Sequence, residues 1–114
     1  MRQLILGAAL AVLVPFAAQA QDAAAGEKVF ATCKACHAFG KNGVGPDLKG
    51  LIGRKAGTHE GYNYSAAMKN SGLTWDSATF MEYIKDPKAK VPGNKMIFAG
   101  VKDDKKIKDL EAYL

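Results

Sequence analysis

Three observations predict an all-α domain in which long loops enclose a central group. Apolar residues recur at helical spacing near both ends of residues 21–114, and no stretch alternates apolar and polar residues long enough for a strand. Between the predicted helices, residues 40–61 hold seven glycines and one proline, which is typical of irregular, folded-back chain. Because a long irregular loop in a small domain needs something to pack against, we expect a bound group at its centre.

The first twenty residues have the pattern of a secretory signal peptide. Arg2 supplies the positive start, residues 4–14 form an uncharged apolar run, and Ala18-Gln19-Ala20 is a small-x-small cleavage site. The apolar run is too short to span a bilayer, which takes about 20 residues. We therefore expect cleavage after Ala20, export of the protein, and one domain over residues 21–114.

The first predicted helix covers residues 23–33. Gly26, Val29, Phe30 and Cys33 fall at i, i+3, i+4 and i+7, which places them on one helical face. A glycine on this face lowers helix propensity, so we expect another backbone to approach closely at Gly26.

Three further helical segments follow the glycine-rich loop. A short helical turn is expected over residues 65–70. A longer helix should begin after Thr74-Trp75-Asp76 and end at Asp86, because the residue before a proline disfavours helical geometry. A lysine-rich loop is expected up to Gly100, and a last helix from about Asp103 that turns its apolar face inward. That face comprises Ile107, Leu110, Tyr113 and Leu114.

The positive charge of the chain is concentrated late in the sequence. The formal net charge is +5, and residues 85–108 hold eight lysines against three aspartates. Such a stretch attracts acidic proteins, anionic lipids or nucleic acid. The export signal disfavours nucleic acid, as does the lack of stacking aromatics between the lysines.

The chemistry-bearing motif is Cys33-Lys34-Ala35-Cys36-His37, which contains both cysteines of the chain. Two thiols three residues apart lie on one side of a helical turn, so each can add to one vinyl group of a haem while the adjacent histidine reaches the iron. A thioredoxin-like thiol pair would require a βαβ context, and a structural zinc site would need four ligands, with only His59 left to join. The motif therefore favours one covalently bound haem c.

The occupant of the second axial position decides what the iron can do. An open position binds oxygen, peroxide or other small ligands, whereas a methionine closes the site and makes an electron carrier. Met68 and Met81 lie in predicted helical segments where core packing explains them, and Met96 lies in a loop that can present one side chain inward. The residues by themselves favour Met96, with His59 as the further alternative.

A series of motifs extends through residues 21–114 in a fixed order. They are Gly26 and Phe30, the C-x-x-C-H of residues 33–37, Gly45-Pro46, Gly53-Arg54, Tyr64, Trp75, Tyr83, Pro92-Gly93-Asn94-Lys95-Met96-Ile97-Phe98, and Leu110 with Tyr113. In this order they resemble the small class I cytochromes c, the mitochondrial-like monohaem proteins of respiratory and photosynthetic bacteria. The resemblance implies the cytochrome c fold, with three to five helices and long loops wrapped around one covalent haem.

The resemblance implies a role for each of these residues. Cys33 and Cys36 would form the haem thioethers, His37 and Met96 would be the axial iron ligands, and the Pro46 carbonyl would accept a hydrogen bond from His37. Tyr83 would approach the Met96 sulfur. The residues implied to bind the haem propionates are Arg54, Tyr64, Trp75 and Asn94. Met68 stands where many relatives have an asparagine in a buried water network.

The function implied by the resemblance is electron carriage rather than catalysis, with no small-molecule substrate. The protein would be a soluble periplasmic monomer that takes electrons from a quinol-oxidising, bc1-type complex and delivers them to a terminal oxidase or a photosynthetic reaction centre. Lys88, Lys95 and Lys102 would ring the haem edge and dock these partners, with Lys34 and Lys41 adding to them. The alternatives are a haem enzyme or gas sensor with an open iron, and a thiol or zinc protein without haem.

Overall fold

The computed structural model describes residues 21–114, and the predicted signal peptide lies outside this range. Within it the helices are α1 (Ala23–Phe30), α2 (Ala66–Lys69), α3 (Ser77–Lys85), α4 (Pro87–Lys90) and α5 (Asp104–Tyr113). The β geometry found across residues 21–114 is one isolated bridge, between Lys55 and Thr74. The prediction of an all-α fold is therefore confirmed. In the same range, no helix has both the length and the apolar character that crossing a membrane requires.

Each helix begins directly after a side chain that caps it. The oxygen of an aspartate or serine accepts a hydrogen bond from a backbone N–H of the first turn, which satisfies a donor that has no partner within the helix. The capping residues are Asp22, Ser65, Asp76, Asp86 and Asp103. The predicted helix starts therefore agree with the structure to within about a residue.

Two boundaries differ from the prediction. Helix α1 ends at Phe30 rather than Cys33, because the chain tightens and the Cys33 N–H donates to the Phe30 carbonyl, three residues back, at 2.7 Å. The segment after α3, predicted as loop, contains α4. Asp86 caps α4 and Pro87 occupies its first position, where the missing N–H of proline has no cost.

Helices α1 and α5 cross with their backbones in contact. A Cβ atom at Gly26 would overlap the carbonyl group of Asp109, which confirms the close approach predicted at this glycine. On the same interface the Phe30 and Tyr113 rings lie with their centroids 5.3 Å apart, and Leu110 is buried. This crossing joins the two ends of the domain and forms one wall of the core.

The rest of the core surrounds a cavity. Its buried residues come from the glycine-rich loop as well as from the helices. Those that line the cavity include Leu48, Leu51, Met68, Trp75, Phe80, Tyr83 and Ile84. The long loop therefore packs around a central space, as its composition predicted.

Candidate functional site

The cavity brings together residues that are up to 84 positions apart in the sequence, from Phe30 to Leu114. It has a volume of about 270 Å³ and a mostly apolar lining. The sequence-predicted site residues among its lining are Cys33, Cys36, His37, Pro46, Arg54, Tyr64, Trp75, Tyr83, Asn94, Lys95 and Met96. Lys88 and Lys102 do not line it.

The two thiols and the histidine reach the cavity through a turn that continues from α1. The N–H groups of Cys36 and His37 both donate to the Cys33 carbonyl, at 3.1 and 2.9 Å. Neither cysteine is in a disulfide. Burial raises the pKa of the Cys33 thiol, so the thiol stays protonated and apolar in character at neutral pH.

The His37 ring is held from two sides. Its Nδ1 lies 3.0 Å from the Pro46 carbonyl oxygen, which only accepts, so Nδ1 carries the hydrogen. Nε2 is then left with a free lone pair, the form in which an imidazole binds a metal. The adjacent Gly45 packs against the ring, and a Cβ there would lie 2.7 Å from Nδ1 and 2.8 Å from Nε2. A side chain at residue 45 would therefore displace the imidazole.

Met96 is presented by a loop that Asn94 holds in place. The Asn94 amide nitrogen donates to the carbonyls of Pro87 at 3.0 Å and Val91 at 2.8 Å, and its Oδ1 accepts from the Met96 N–H at 2.8 Å. Asn94 is 6% exposed. Both amide hydrogens are thus used within the protein, so the arrangement assigns Asn94 to positioning Met96 and leaves it no free donor for a propionate.

Tyr83 lies beside the Met96 sulfur. Its hydroxyl donates to Met96 Sδ at 3.9 Å, and its ring meets Trp75 edge-on with centroids 4.9 Å apart. Burial raises the pKa of Tyr83 to about 12, so the phenol keeps its proton at any physiological pH. The hydroxyl is a permanent donor toward the sulfur.

Polar groups interrupt the apolar lining around Arg54. The Arg54 guanidinium donates to the Asp47 carbonyl at 2.8 Å and to the Lys49 carbonyl at 3.2 Å. The Tyr64 hydroxyl accepts from the His59 N–H at 3.2 Å, which leaves its own hydrogen available. Trp75 is 7% exposed, and the side-chain hydrogen bonds found within residues 21–114 include none from its indole N–H. Donors without acceptors in an apolar cavity fit a group that carries carboxylates.

The donor set as a whole fits a haem. Two thiols and an imidazole with its free nitrogen toward a cavity match covalent attachment and axial ligation, and a thioether is the kind of second ligand found in electron carriers. The apolar lining suits a macrocycle, and the unpaired donors near Arg54 suit its propionates.

The three predicted docking lysines differ in the contacts that their ammonium groups make. Lys88 is exposed, whereas the Lys102 ammonium donates to the carbonyls of Lys85 at 2.6 Å and Ala99 at 3.2 Å. The Lys95 ammonium donates to the Asn63 carbonyl and lies 5.0 Å from the centroid of the Tyr62 ring. Lys95 and Tyr62 thus join two loops that both line the cavity.

Two features of this site were not predicted from the sequence. The pairing of Lys95 with Tyr62 carries no local signal, because the residues are 33 positions apart. The role of Asn94 does have a local signal in the sequence. An asparagine whose side chain accepts a hydrogen bond from the backbone N–H two residues later, here that of Met96, is typical of an Asx turn.

The chain is similar to a family model, to several known proteins and to a solved structure. The cytochrome c family model matches residues 23–114. Cytochrome c2 of Blastochloris viridis is 56% identical over an alignment of 117 positions, covering 100% of this chain and 92% of that protein. Cytochrome c-550 of Bradyrhizobium diazoefficiens is 60% identical over 95 positions, covering 81% of this chain and 70% of its own. The structure of cytochrome cH from Methylobacterium extorquens is 61% identical and superposes with a TM-score of 0.79, covering 81% of this chain and 95% of that chain.

Proposed function

Because the chain belongs to the cytochrome c family, we propose that it carries single electrons between membrane redox complexes in the bacterial periplasm. Members of this family bind one covalent haem c with its iron, and the chain is accordingly an electron carrier and not an enzyme. The haem supplies the electron chemistry by cycling between ferric and ferrous iron, and the protein supplies binding, surroundings and docking.

One observation carries the detailed proposal: two thiols, an imidazole and a thioether line the same apolar cavity. In this proposal Cys33 and Cys36 hold the haem through thioether bonds, and His37 and Met96 are the axial ligands. The Pro46 carbonyl holds the His37 hydrogen on Nδ1 and so directs Nε2 to the iron. Arg54, Tyr64 and Trp75 bind the propionates.

The contacts around the proposed ligands His37 and Met96 are suited to an electron carrier. Asn94 fixes the loop that presents Met96, and Tyr83 donates to its sulfur. His37 and Met96 would then be iron ligands that the fold already holds in place, so little would have to move during electron transfer. Methionine ligation and burial both favour the ferrous state and raise the reduction potential.

The proposed location rests on the predicted signal peptide, and the proposed partners rest on the exposed lysines. The predicted signal peptide, residues 1–20, would deliver the protein to the periplasm, where we expect a monomer. There it would shuttle between a bc1-type quinol-oxidising complex and a terminal oxidase or photosynthetic reaction centre. Lys88, Lys95 and Lys102 would steer it to acidic surfaces on both partners, with fast and salt-sensitive association.

Absorption spectroscopy of the holoprotein tests the ligand assignment. We expect a sharp reduced α band that carbon monoxide leaves unchanged, and an oxidised far-red band from the iron–sulfur bond. Met96→Ala should lose the far-red band and bind carbon monoxide. Met81→Ala, which truncates a half-buried methionine of α3, is the matched control and should keep both properties.

Two results would contradict the proposal. Carbon monoxide binding by the wild-type ferrous protein would mean an open iron and ligand chemistry. Unmodified Cys33 and Cys36 in the periplasmic protein, detected by mass spectrometry, would exclude covalent haem.

A further inference from the structure

Tyr62 lines the cavity and has no part in the proposed iron ligation. Two loops that hold the proposed ligands line the cavity as well. We call residues 43–46 the Pro46 loop, because its Pro46 carbonyl accepts the hydrogen bond from His37. Residues 92–98, which include Met96, are the Met96 loop. Tyr62 belongs to neither loop and contacts both.

The hydroxyl of Tyr62 is bonded to the Pro46 loop. It donates to the Val44 carbonyl at 2.6 Å. Val44 directly precedes Gly45, which packs against the His37 ring and whose N–H donates to the Cys36 carbonyl at 2.8 Å. Burial raises the pKa of Tyr62, so its hydroxyl keeps its proton and remains a donor at neutral pH. A shift of Tyr62 therefore moves the peptide next to the residue that supports His37.

The ring of Tyr62 contacts the Met96 loop. The Lys95 ammonium lies 5.0 Å from the ring centroid, within the range of a cation–π interaction. The same ammonium donates to the Asn63 carbonyl, and the next residue along the chain is Met96. The Tyr64 ring meets the Tyr62 ring edge-on, with centroids 4.8 Å apart, and so fixes its orientation. Tyr62 is thus one residue removed from the proposed sulfur ligand.

Few other polar contacts join these three parts of the chain. Among the hydrogen bonds and ring contacts found in residues 21–114, those between the Met96 loop and residues 58–64 all involve Lys95. The Asn42 amide donates to the Glu60 carbonyl at 3.2 Å, which joins residues 58–64 to the chain before the Pro46 loop but does not reach the Met96 loop. Within these contacts, Tyr62 is the side chain that reaches both ligand-holding loops.

Solvent borders the cavity on this side. Val44 and Ile97, which line the cavity from the two loops, are 74% and 93% exposed. Segments with few buried contacts open locally at a low free energy. The contacts made by Tyr62 therefore have a large share in how often the two loops separate.

We propose that Tyr62 is a positioning residue that couples the two ligand-holding loops, so that loosening one loop loosens the other. The inference rests on the proposed function, in which His37 and Met96 bind the iron. When the Tyr62 hydroxyl leaves the Val44 carbonyl, its ring is free to turn away from Lys95, and the Met96 loop loses that contact. In the other direction, loss of the Lys95 ammonium frees the ring and weakens the hydrogen bond to Val44.

Imidazole binding to the ferric holoprotein measures the coupling toward Met96. At saturating imidazole, the stopped-flow rate gives the rate at which the Met96 sulfur leaves the iron. Tyr62→Phe keeps the ring and removes only the hydrogen bond to Val44, and loss of one such bond should raise this rate about threefold to tenfold. Tyr113→Phe is the matched control, because its half-buried ring packs at the crossing of α1 and α5, outside the cavity lining. It should leave the rate at its wild-type value.

Hydrogen exchange at His37 Nδ1 measures the coupling in the other direction. It is followed by nuclear magnetic resonance in the ferrous holoprotein. Lys95→Gln can still donate to the Asn63 carbonyl but offers no charge to the Tyr62 ring, so we expect about twofold to fivefold faster exchange. Lys28→Gln, which removes an exposed charge of α1, is the matched control and should exchange as wild type does.

Each substitution lies on one side of the cavity and its effect is measured on the other. A wild-type imidazole rate in Tyr62→Phe, or a wild-type exchange rate at His37 in Lys95→Gln, would show that the loops open independently and would overturn the inference. Equal effects in the two control variants would overturn it too, because they would mean a general loss of stability. A wild-type ferric protein without the far-red iron–sulfur band would instead refute the proposed function.

Discussion

The backbone N–H of Asp22, at the start of α1, donates a 2.9 Å hydrogen bond to Oδ1 of Asp109 in α5. The same carboxylate is only 5% exposed and forms an ion pair with Lys105 at 2.6 Å. One turn further along α1, Gly26 lies against the Asp109 carbonyl. Asp109 thus joins the two ends of the domain through both its side chain and its backbone, and this junction supports the helix from which the Cys33–His37 turn continues.

Gly26→Ala should destabilise the holoprotein, because the new Cβ would overlap the Asp109 carbonyl and push α1 away from α5. We expect a loss of about 1–3 kcal/mol in the free energy of unfolding, the usual cost of overpacking, measured by guanidinium denaturation. Gly43→Ala is the matched control, since its Cβ would approach nothing closer than 3.4 Å. Equal effects at the two positions would contradict the close crossing.

The junction at Asp109 should contribute to acid unfolding. The hydrogen bond from Lys105, followed by that from the Asp22 amide, lowers the pKa of Asp109 below its unfolded value. A depressed carboxyl pKa adds stability above the unfolded value, and this stability is lost as the pH falls through the folded value. Denaturant titrations between about pH 7 and about pH 2 should therefore show a shallower acid decline in Asp109→Asn than in wild type.

The control for this prediction is Glu27→Gln, on the exposed part of α1. It should leave the acid decline as it is in wild type. An Asp109→Asn protein that loses stability with falling pH as steeply as wild type would show that the Asp22–Asp109–Lys105 contacts do not depend on ionisation.

Asn94→Ala should loosen the loop that presents Met96. The substitution removes the amide hydrogen bonds to the buried carbonyls of Pro87 and Val91 and leaves the Met96 N–H without its partner, at a cost of about 1–3 kcal/mol. If Met96 ligates the iron, the ferric variant should bind added imidazole about tenfold or more tightly than wild type. Asn63→Ala, at an exposed position, is the control; unchanged imidazole affinity in Asn94→Ala would remove Asn94 from this role.

Lys88→Gln should slow the reaction with an acidic redox partner and flatten its dependence on salt, because it removes one exposed charge and no internal contact. Stopped-flow rates at several ionic strengths measure this effect. Lys102→Gln should do the same and also lower stability, since the Lys102 ammonium bonds the Lys85 carbonyl at the end of α3. Lys28→Gln, in α1, is the control; if it slows the reaction as much as Lys88→Gln, docking is governed by net charge alone.

Helix positions were predictable because their signals are local. Asp76 and Asp103 cap the helices that follow them, and Pro87 ends α3. The prediction was wrong at two places. Residues 31–33 form a tight turn instead of continuing the helix, and residues 87–90 form the short helix α4, capped by Asp86, instead of a loop. Both differences depend on a few short-range hydrogen bonds that periodicity does not encode.

The sequence by itself determined the class of this protein. The spacing of Cys33, Cys36 and His37 is a chemical requirement for haem attachment that three neighbouring residues satisfy. Gly26 signalled a close backbone contact without revealing its partner. In both cases the residues that carry the signal lie within about one helical turn of one another in the sequence.

Only the tertiary structure decided which distant residues act together. It placed Asp109 against Asp22, directed the Asn94 amide to the Met96 loop and set His59 between Asp47 and Arg54. The physical reason is that a hydrogen bond or ion pair depends on a few ångströms between side chains, and a loop of irregular chain fixes such distances only when it packs around its centre.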